Sequence, residues 1–96
     1  MTPALLSPRA QRDIDRIWDH TAVIWGVDQA ELYIRQIEAA IRLIAGNPQL
    51  GKACDDIRRS YRKYPAGSHL LFYRLVSTHV EIIRILHQRM DFERHL

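Results

Sequence analysis

Two long stretches of the chain carry apolar residues at intervals of three and four, the spacing that places them on one face of an α-helix. The first stretch follows Ser7-Pro8, a capping residue and a proline suited to the first helical turn, and it ends at Gly26. The second is predicted to open at Asp28, with Glu31 completing a capping box, and to stop at Gly46-Asn47-Pro48. The short connection between the two predicts an antiparallel helical hairpin.

The same spacing assigns side chains to the faces of these helices. Trp18, Trp25 and Tyr33 fall on the apolar stripes and are predicted to lie in the core. Arg9 and Asp13 fall on the polar face of the first helix, four residues apart. They are predicted to form an exposed ion pair.

The remainder of the chain is rich in β-branched, leucine and aromatic residues, which favour strands. Residues 49–56 are an exception, since they show no periodicity and are predicted to be a loop. The strands are predicted, in chain order, at Ala4–Leu6, Arg58–Tyr64, His69–Val76 and His79–His87. The turns between the last three strands are short, which predicts an antiparallel meander.

These elements predict a single domain of residues 1–96 in the α+β class, with the order β-α-α-β-β-β. The helical hairpin should pack on one face of an antiparallel sheet. The last two strands are apolar on both faces, although strict alternation places Arg84 on the same face as Val80 and Ile82. The second face is therefore either partly covered by the C-terminal tail or kept as an interface for a partner.

The charge of the chain is mild in total but uneven in distribution. The net charge is +3, and residues 57–90 hold seven basic side chains against a single acidic one, Glu81. Twelve of the fourteen basic residues are arginine, whose planar guanidinium pairs with carboxylates and phosphates and stacks on aromatic rings. The basic half therefore predicts an acidic partner, either protein or nucleic acid, beside the alternative of an ordinary solvated surface.

Several chemistries find no support in the residue pattern. The single cysteine, Cys54, excludes an intrachain disulfide and lies beside two aspartates, which should raise its pKa and weaken it as a nucleophile. The five histidines lack the spacing of metal ligands, and no glycine-rich phosphate loop is present, so neither a metal nor a cofactor is predicted. With no signal peptide and no apolar run long enough for a membrane span, we expect a cytoplasmic protein.

One group of residues on and after the strands allows three interpretations: Lys63, Tyr73, Arg74, Arg84, His87 and Arg89. They could contact a partner. They could also cleave RNA, with His87 moving protons and an arginine stabilising the charge on the phosphate. In the third interpretation Arg74 and Arg84 pair with Glu81 or with acidic residues of the helices, and His87 is a polar residue at a strand end.

Four motifs follow one another along the chain. They are L-S-x-x-A-x-x-D-I-x-x-I-W in the first helix, N-P-x-x-G after the hairpin, H-x-x-F-Y-R in the middle strand of the meander and I-x-R-I-L-H-Q-R-M-D at its end. Together they resemble the ParE toxins of the ParE/RelE superfamily. The resemblance covers essentially the whole chain and agrees with the fold predicted from spacing.

The resemblance implies the toxin of a type II toxin–antitoxin pair, with the RelE-like fold but without the catalytic residues of the RelE ribonucleases. Such a toxin is expected to poison DNA gyrase by binding rather than by catalysis. It is also expected to be neutralised by a ParD-like antitoxin in a heterotetramer or larger complex. It would meet operator DNA only through the antitoxin, and no membrane contact is implied.

By position, the resemblance assigns candidate residues to the two partners. Antitoxin contact is predicted on the hairpin and, at the rim of an apolar sheet face, on Tyr73, Arg74 and Arg84. Gyrase contact is predicted at the end of the last strand and in the tail, on His87, Arg89, Met90 and Phe92. No catalytic residue is implied.

Two other functions stay open beside this one. A RelE-like, ribosome-dependent mRNA endoribonuclease would use His87, Lys63 and Arg84. RelE-type relatives often carry a tyrosine or histidine near the C terminus; no tyrosine follows Tyr73, but His87 lies near that place. The third function is a non-toxic module that only holds an antitoxin.

Overall fold

In the computed structural model, which describes residues 2–96, the first helix, α1 (Pro8–Trp25), begins at the predicted position. The Ser7 hydroxyl accepts a hydrogen bond from the Ala10 N–H at 3.0 Å and replaces a backbone acceptor that the first turn lacks. Gly26 ends the helix with a φ of 97°, a conformation that residues with a Cβ rarely adopt.

The second helix, α2 (Val27–Gly46), follows this single glycine, so the two helices fold back on each other as the predicted hairpin. The predicted capping box is wrong, because Gly26 is the N-terminal boundary of α2 and no side chain caps it. Asp28 lies in the first turn, where its charge faces the positive end of the helix dipole. Neither α1 nor α2, nor any other helix within the described residues, has the length and apolar character that crossing a membrane requires.

A five-stranded sheet lies against the hairpin. Its strands are β1 (Ala4–Leu6), β2 (Lys52–Ala53), β3 (Arg62–Ala66), β4 (His69–Val76) and β5 (His79–His87). Their spatial order is β1-β5-β4-β3-β2. The antiparallel meander of the last three strands is confirmed, but β1 runs parallel to β5, so the sheet is mixed rather than antiparallel throughout.

The region of β2 and β3 departs from the predicted loop and strand. β2 lies in the segment predicted to be a loop, and β3 begins at Arg62 rather than at Arg58. Residues 54–61 form a run of turns instead, closed by a hydrogen bond from the Cys54 N–H to the Tyr61 carbonyl oxygen at 2.9 Å. The backbone groups of this segment find partners within the turns, so they are not available for a longer ladder.

A β-bulge in β5 decides which of its residues face the helices. Tyr73 pairs with Ile82 and the preceding Phe72 pairs with Arg84, so Ile83 is left without a partner in β4. One extra residue reverses the alternation of sides along a strand. Ile82 therefore faces the helices, whereas Arg84 starts on the face of its partner Phe72, and the predicted grouping of the two on one face is wrong. Because β1 covers β5 only as far as Ile82, the Arg84 side chain can still reach α1 around the open edge of β5.

The two faces of the sheet carry separate cores. The helix-side core joins both helices to the sheet, and its buried side chains include Ile37, Ile44, Leu71, Tyr73 and Ile82. The tail-side core is smaller and consists of Cys54, Phe72 and Leu86, packed against Ile57, Tyr61, Leu70, Phe92 and Leu96. The C-terminal segment, with the short helix α3 (Phe92–His95), therefore covers part of the second face.

Candidate interaction surfaces

Arg84, predicted to contact a partner, forms a buried ion pair with Asp13 of α1. It donates from Nε to Asp13 Oδ2 at 2.7 Å and from Nη2 to Oδ1 at 2.9 Å, so both carboxylate oxygens are engaged. Only 6% of Arg84 and 5% of Asp13 are exposed. The hydrogen bond to the carboxylate raises the pKa of Arg84 above its ordinary value.

The same ion pair joins three parts of the chain. Asp13 Oδ2 also accepts the Ile85 N–H at 2.9 Å, at a point of β5 that β1 does not reach. Arg84 Nη1 donates to the His95 carbonyl oxygen at 2.8 Å. Helix α1, strand β5 and the C-terminal segment are therefore held together by one carboxylate and one guanidinium.

The predicted exposed pair between Asp13 and Arg9 is wrong, because Asp13 faces the core. A signal for this burial was present in the sequence. Asp13 lies three residues after Ala10 and four before Ile17, the other two positions that α1 buries. An acidic residue at that spacing needs a polar partner in the interior, which points to a distant basic residue.

Tyr73, also predicted to contact the antitoxin, lies in the helix-side core with no exposed surface. Its hydroxyl donates to the Pro48 carbonyl oxygen at 2.9 Å and accepts from the Gly51 N–H at 2.7 Å. Burial raises the pKa of Tyr73, so the hydroxyl keeps its proton. The N-P-x-x-G motif of residues 47–51 is thus the loop that this hydroxyl anchors.

Arg74 is accessible, unlike the other two residues predicted to contact the antitoxin. It lies opposite Glu81, and its Nε donates to Glu81 Oε1 at 3.0 Å. Exposed ion pairs contribute only ~0–1 kcal/mol, so a carboxylate of a partner can replace Glu81 at little cost. Both contacts agree with the third interpretation given above. Arg74 pairs with Glu81, and Arg84 pairs with an acidic residue of a helix.

A cavity of about 540 Å³ opens between the end of the hairpin and the sheet, beside His20, Trp25, Gln29 and His87. One wall is a hydrogen-bonded pair, in which the Tyr33 hydroxyl oxygen and His69 Nδ1 are 2.6 Å apart. The Tyr33 hydroxyl also accepts the Ser68 N–H at 3.0 Å and lies 3.5 Å from the Ala66 carbonyl oxygen, so it is tied to the turn between β3 and β4. The His87 ring lies edge-on to His69, with centroids 5.3 Å apart. These residues come from α1, α2, β4 and β5, so no local pattern in the sequence brings them together.

We expect the protein to lose stability on mild acidification, because His69 is neutral in the folded state. Burial, and then electrostatic repulsion from His87, lowers the pKa of His69 from 6.5 to about 4. The unfolded chain therefore binds this proton first. The stabilisation is complete above pH 6.5 and is lost as the pH falls toward 4. Since the ring is partly exposed, solvent screening leaves roughly 1–2 kcal/mol over this window.

Urea unfolding at about pH 7 and about pH 4.5 measures this loss. The His69→Gln variant should lose less stability between the two conditions than the wild type. His79→Gln, at the turn between β4 and β5, serves as the control and should keep the wild-type difference. An equal difference in wild type and His69→Gln would show that another group titrates in this range.

The four residues predicted to contact gyrase divide between exposed and packed positions. Arg89 is exposed, and Met90 beside it is 43% exposed. His87 is half-buried, and its Nδ1 accepts the Arg89 N–H at 3.2 Å. Phe92 packs on Phe72 with ring centroids 4.9 Å apart and so holds the tail on the sheet.

The end of the hairpin carries exposed apolar side chains, which we name the hairpin tip: Val23, Ile24, Trp25 and Val27. Trp25 is 72% exposed, so its predicted core position is wrong. The buried positions of α1 stop at Ile17, so the last turns of the helix pack on little beneath them. Neighbouring exposed apolar side chains are typical of a protein contact site.

The described residues offer little for covalent chemistry. Cys54 is 1% exposed, and burial raises the pKa of its thiol, which keeps the sulfur protonated. Within residues 2–96, no group of three His, Cys, Asp or Glu side chains is placed to hold a metal ion. The exposed features are instead the hairpin tip, Arg74 and the residues after β5, all suited to contact with another macromolecule.

Comparison with known proteins gives a consistent result. Residues 4–92 match the family described as ParE toxin of type II toxin–antitoxin system, parDE. Toxin ParE1 of Mycobacterium tuberculosis is 54% identical over 93 residues, which are 96% of this chain and 95% of the relative. Toxin ParE1 of Caulobacter vibrioides is 46% identical over 96 residues, 100% of this chain and 99% of the relative. A chain of the solved chromosomal ParDE TA system from P. aeruginosa has the same fold, with a TM-score of 0.81 at 19% identity, over 91% of this chain and 96% of that chain.

Proposed function

Since the chain belongs to the ParE toxin family of type II toxin–antitoxin systems, we propose that it acts in the cytoplasm by binding DNA gyrase without catalysing a reaction. Its neutralising partner in this proposal is a ParD-like antitoxin, in a complex of at least a heterotetramer. The observation that supports a non-catalytic role most directly is the buried Asp13–Arg84 ion pair.

The partners of Arg84 favour binding over RNA cleavage. The alternative endoribonuclease would need Arg84, Lys63 and His87 to act on one phosphate. The Arg84 guanidinium already donates from Nε and Nη2 to Asp13 and from Nη1 to the His95 carbonyl oxygen. Its charge is neutralised before any phosphate arrives, so it can add little to the stabilisation of a transition state.

The hairpin tip and Arg74 suit two different parts of an amphipathic, acidic antitoxin. The apolar face of one part can pack on Trp25 and its neighbours. Arg74 lies near the turn between β4 and β5, away from the hairpin tip, so a carboxylate in another part of the antitoxin can pair with it in place of Glu81. Tyr73 and Arg84 are buried, so in this proposal they hold the sheet in shape beneath the interface and do not contact the antitoxin themselves.

The residues that follow β5 are the proposed contacts to gyrase. Arg89 and Met90 offer a positive charge and an apolar side chain next to each other on the surface. His87 fixes the backbone of this turn through its hydrogen bond with the Arg89 N–H. Phe92 anchors the following residues on the sheet, so a change at Phe92 should act through the position of the turn.

The proposal predicts linear DNA when antitoxin-free toxin is incubated with gyrase, ATP and supercoiled plasmid and the reaction is stopped with detergent and protease. Added antitoxin should abolish the linear product. The double variant Arg89→Ala/Met90→Ala should need at least about tenfold more toxin for the same yield, because central interface residues often contribute more than ~1 kcal/mol each. The matched control, Arg42→Ala/Leu43→Ala, removes an exposed arginine and an exposed leucine from α2 and should behave as the wild type.

Folded toxin that produces no linear DNA would contradict the gyrase proposal. A translation reaction then separates the two alternatives. A RelE-like endoribonuclease should cleave mRNA on the ribosome, and His87→Ala should slow it by about 10²–10⁴-fold, the usual contribution of a general acid or base. A non-toxic antitoxin-binding module should give neither product.

A further inference from the structure

The net positive charge of the chain is concentrated in one short segment. Residues 52–63 contain five basic and two acidic side chains, a net charge of +3, which equals the net charge of the whole chain. One of the two acids, Asp55, is engaged within its own turn, where Oδ1 accepts the Ser60 N–H at 2.8 Å. The three basic residues that lie on strands form a surface we name the basic edge: Lys52, Arg62 and Lys63.

The two lysines of the basic edge are directly opposed. Lys52 of β2 pairs with Lys63 of β3, so both side chains project from the same face of the sheet. Like charges in this position repel each other and destabilise the strand pair. Neither lysine forms a salt bridge with a carboxylate in the part of the chain that the structure describes. β2 is the outermost strand, so an external anion can reach this pair and relieve the repulsion.

Arg62 adds a third charge, held in a fixed position. Its Nη1 donates to the Gly51 carbonyl oxygen at 2.6 Å, and its Nη2 donates to Gln49 Oε1 at 2.7 Å. Both acceptors are uncharged, so the positive charge of Arg62 is oriented but not neutralised, and further N–H groups remain to donate. Since neighbouring residues of a strand face opposite sides, Arg62 and Lys63 flank the open edge from both faces.

An added peptide strand does not fit this edge. Recognition by strand addition requires a run of free backbone N–H and C=O groups. β2 has only two residues, and β3 beyond it contains Pro65, which has no N–H. A partner that binds here must therefore be recognised by charge.

Single-stranded nucleic acid fits little better, because it is typically held by bases that stack on exposed aromatic rings. Tyr61 and Tyr64 lie beside the basic edge, but they pack against the tail-side and helix-side cores respectively. Duplex DNA needs no stacking surface and presents one charge per about 1.7 Å of its axis. We propose that the basic edge binds the phosphate backbone of double-stranded DNA directly, without reading its sequence. The toxin would then contact DNA itself, and not only through the antitoxin.

Fluorescence anisotropy with antitoxin-free toxin and a labelled random-sequence duplex tests this proposal. Three phosphate contacts should give a slope of about −2.7 for log K against log salt concentration, a weakening of about 40-fold between ~50 and ~200 mM salt. Lys52→Gln/Lys63→Gln should reduce the slope to about −1 and weaken binding roughly tenfold at the lower salt. Arg9→Gln/Arg12→Gln removes the same charge from exposed positions of α1 and should keep the wild-type slope.

Thermal unfolding of each variant checks that the fold is intact. The single substitution Lys52→Gln, at an exposed position, gives a second test and should reduce the slope by about one. Equal losses in the lysine and Arg9/Arg12 variants would show an effect of net charge alone and overturn the proposal. It would also be overturned by no duplex binding at ~50 mM salt, by tighter binding of single-stranded DNA or RNA of equal length, or by binding of poly-glutamate alone.

Discussion

Replacing Asp13 with alanine should lower the free energy of unfolding by about 3–5 kcal/mol, a large part of the stability of a domain of this size. The substitution leaves Arg84 charged, 6% exposed and without its carboxylate. It also removes the acceptor of the Ile85 N–H. An unpaired cation in the interior costs more than the lost attraction, because the folded chain cannot give it the solvation that water provides.

Urea unfolding followed by circular dichroism measures this loss. The matched control is Asp15→Ala, an exposed acidic residue of the same helix, which should change stability by less than about 0.5 kcal/mol. The double variant Asp13→Ala/Arg84→Met should regain much of the loss, because it removes the unpaired charge and fills the space with an apolar side chain. If the losses of the single variants Asp13→Ala and Arg84→Met simply added in the double variant, the residues would be acting independently and the ion-pair account would be wrong.

Replacing Tyr73 with alanine should lower the free energy of unfolding by about 3–5 kcal/mol, because it empties a fully buried aromatic position of the helix-side core. Tyr73→Phe keeps the ring and should cost about 1–3 kcal/mol, since the Gly51 N–H and the Pro48 carbonyl oxygen lose their partner. Gly51→Ala should disturb the contact between the Gly51 backbone and the Tyr73 side chain. Its Cβ would lie 2.6 Å from Tyr73 Cε1 and 2.9 Å from the Lys63 carbonyl oxygen.

Thermal unfolding and antitoxin affinity, measured on the same samples, distinguish a structural role of Tyr73 from a contact. Tyr73→Phe should lower the midpoint of unfolding and leave the antitoxin Kd of the folded protein within about twofold of wild type. Tyr64→Phe removes the hydroxyl of a half-buried tyrosine and serves as the control. If Tyr73→Phe bound the antitoxin much more weakly than wild type at unchanged stability, Tyr73 would be a direct contact of the antitoxin.

The helices and the strands β4 and β5 could be predicted because their signals are local. Each signal lies within a few residues of the structure that it predicts. Ser7-Pro8 starts α1, a glycine separates the two helices, and the apolar residues are spaced at helical intervals. The two-residue strand β2 and the late start of β3 could not be found in this way. The charged segment 58–61 has strand-like composition, but its backbone is used by the turns that close between Cys54 and Tyr61.

The assignment of faces in β5 failed for a related reason. Strict alternation assumes one partner for each residue, and the bulge at Ile83 breaks that rule. The spacing of β5 alone does not reveal a bulge, because the register depends on how β4 pairs with it. This single residue moves Arg84 to the side of the tail and leaves Ile82 in the helix-side core.

The amino-acid sequence alone was enough to predict the hairpin, the meander, the excess of basic charge and, through four motifs, the family to which the chain belongs. The partners of the buried polar residues depend on contacts between distant parts of the chain. Asp13 and Arg84 are 71 positions apart, so no local pattern could pair them. Tyr73 and Arg74 are neighbours in the chain, yet the first lies in the core and the second is exposed. The spacing of residues along one helix or strand shows only which side chains share a face. Whether that face is buried depends on which other parts of the chain pack against it.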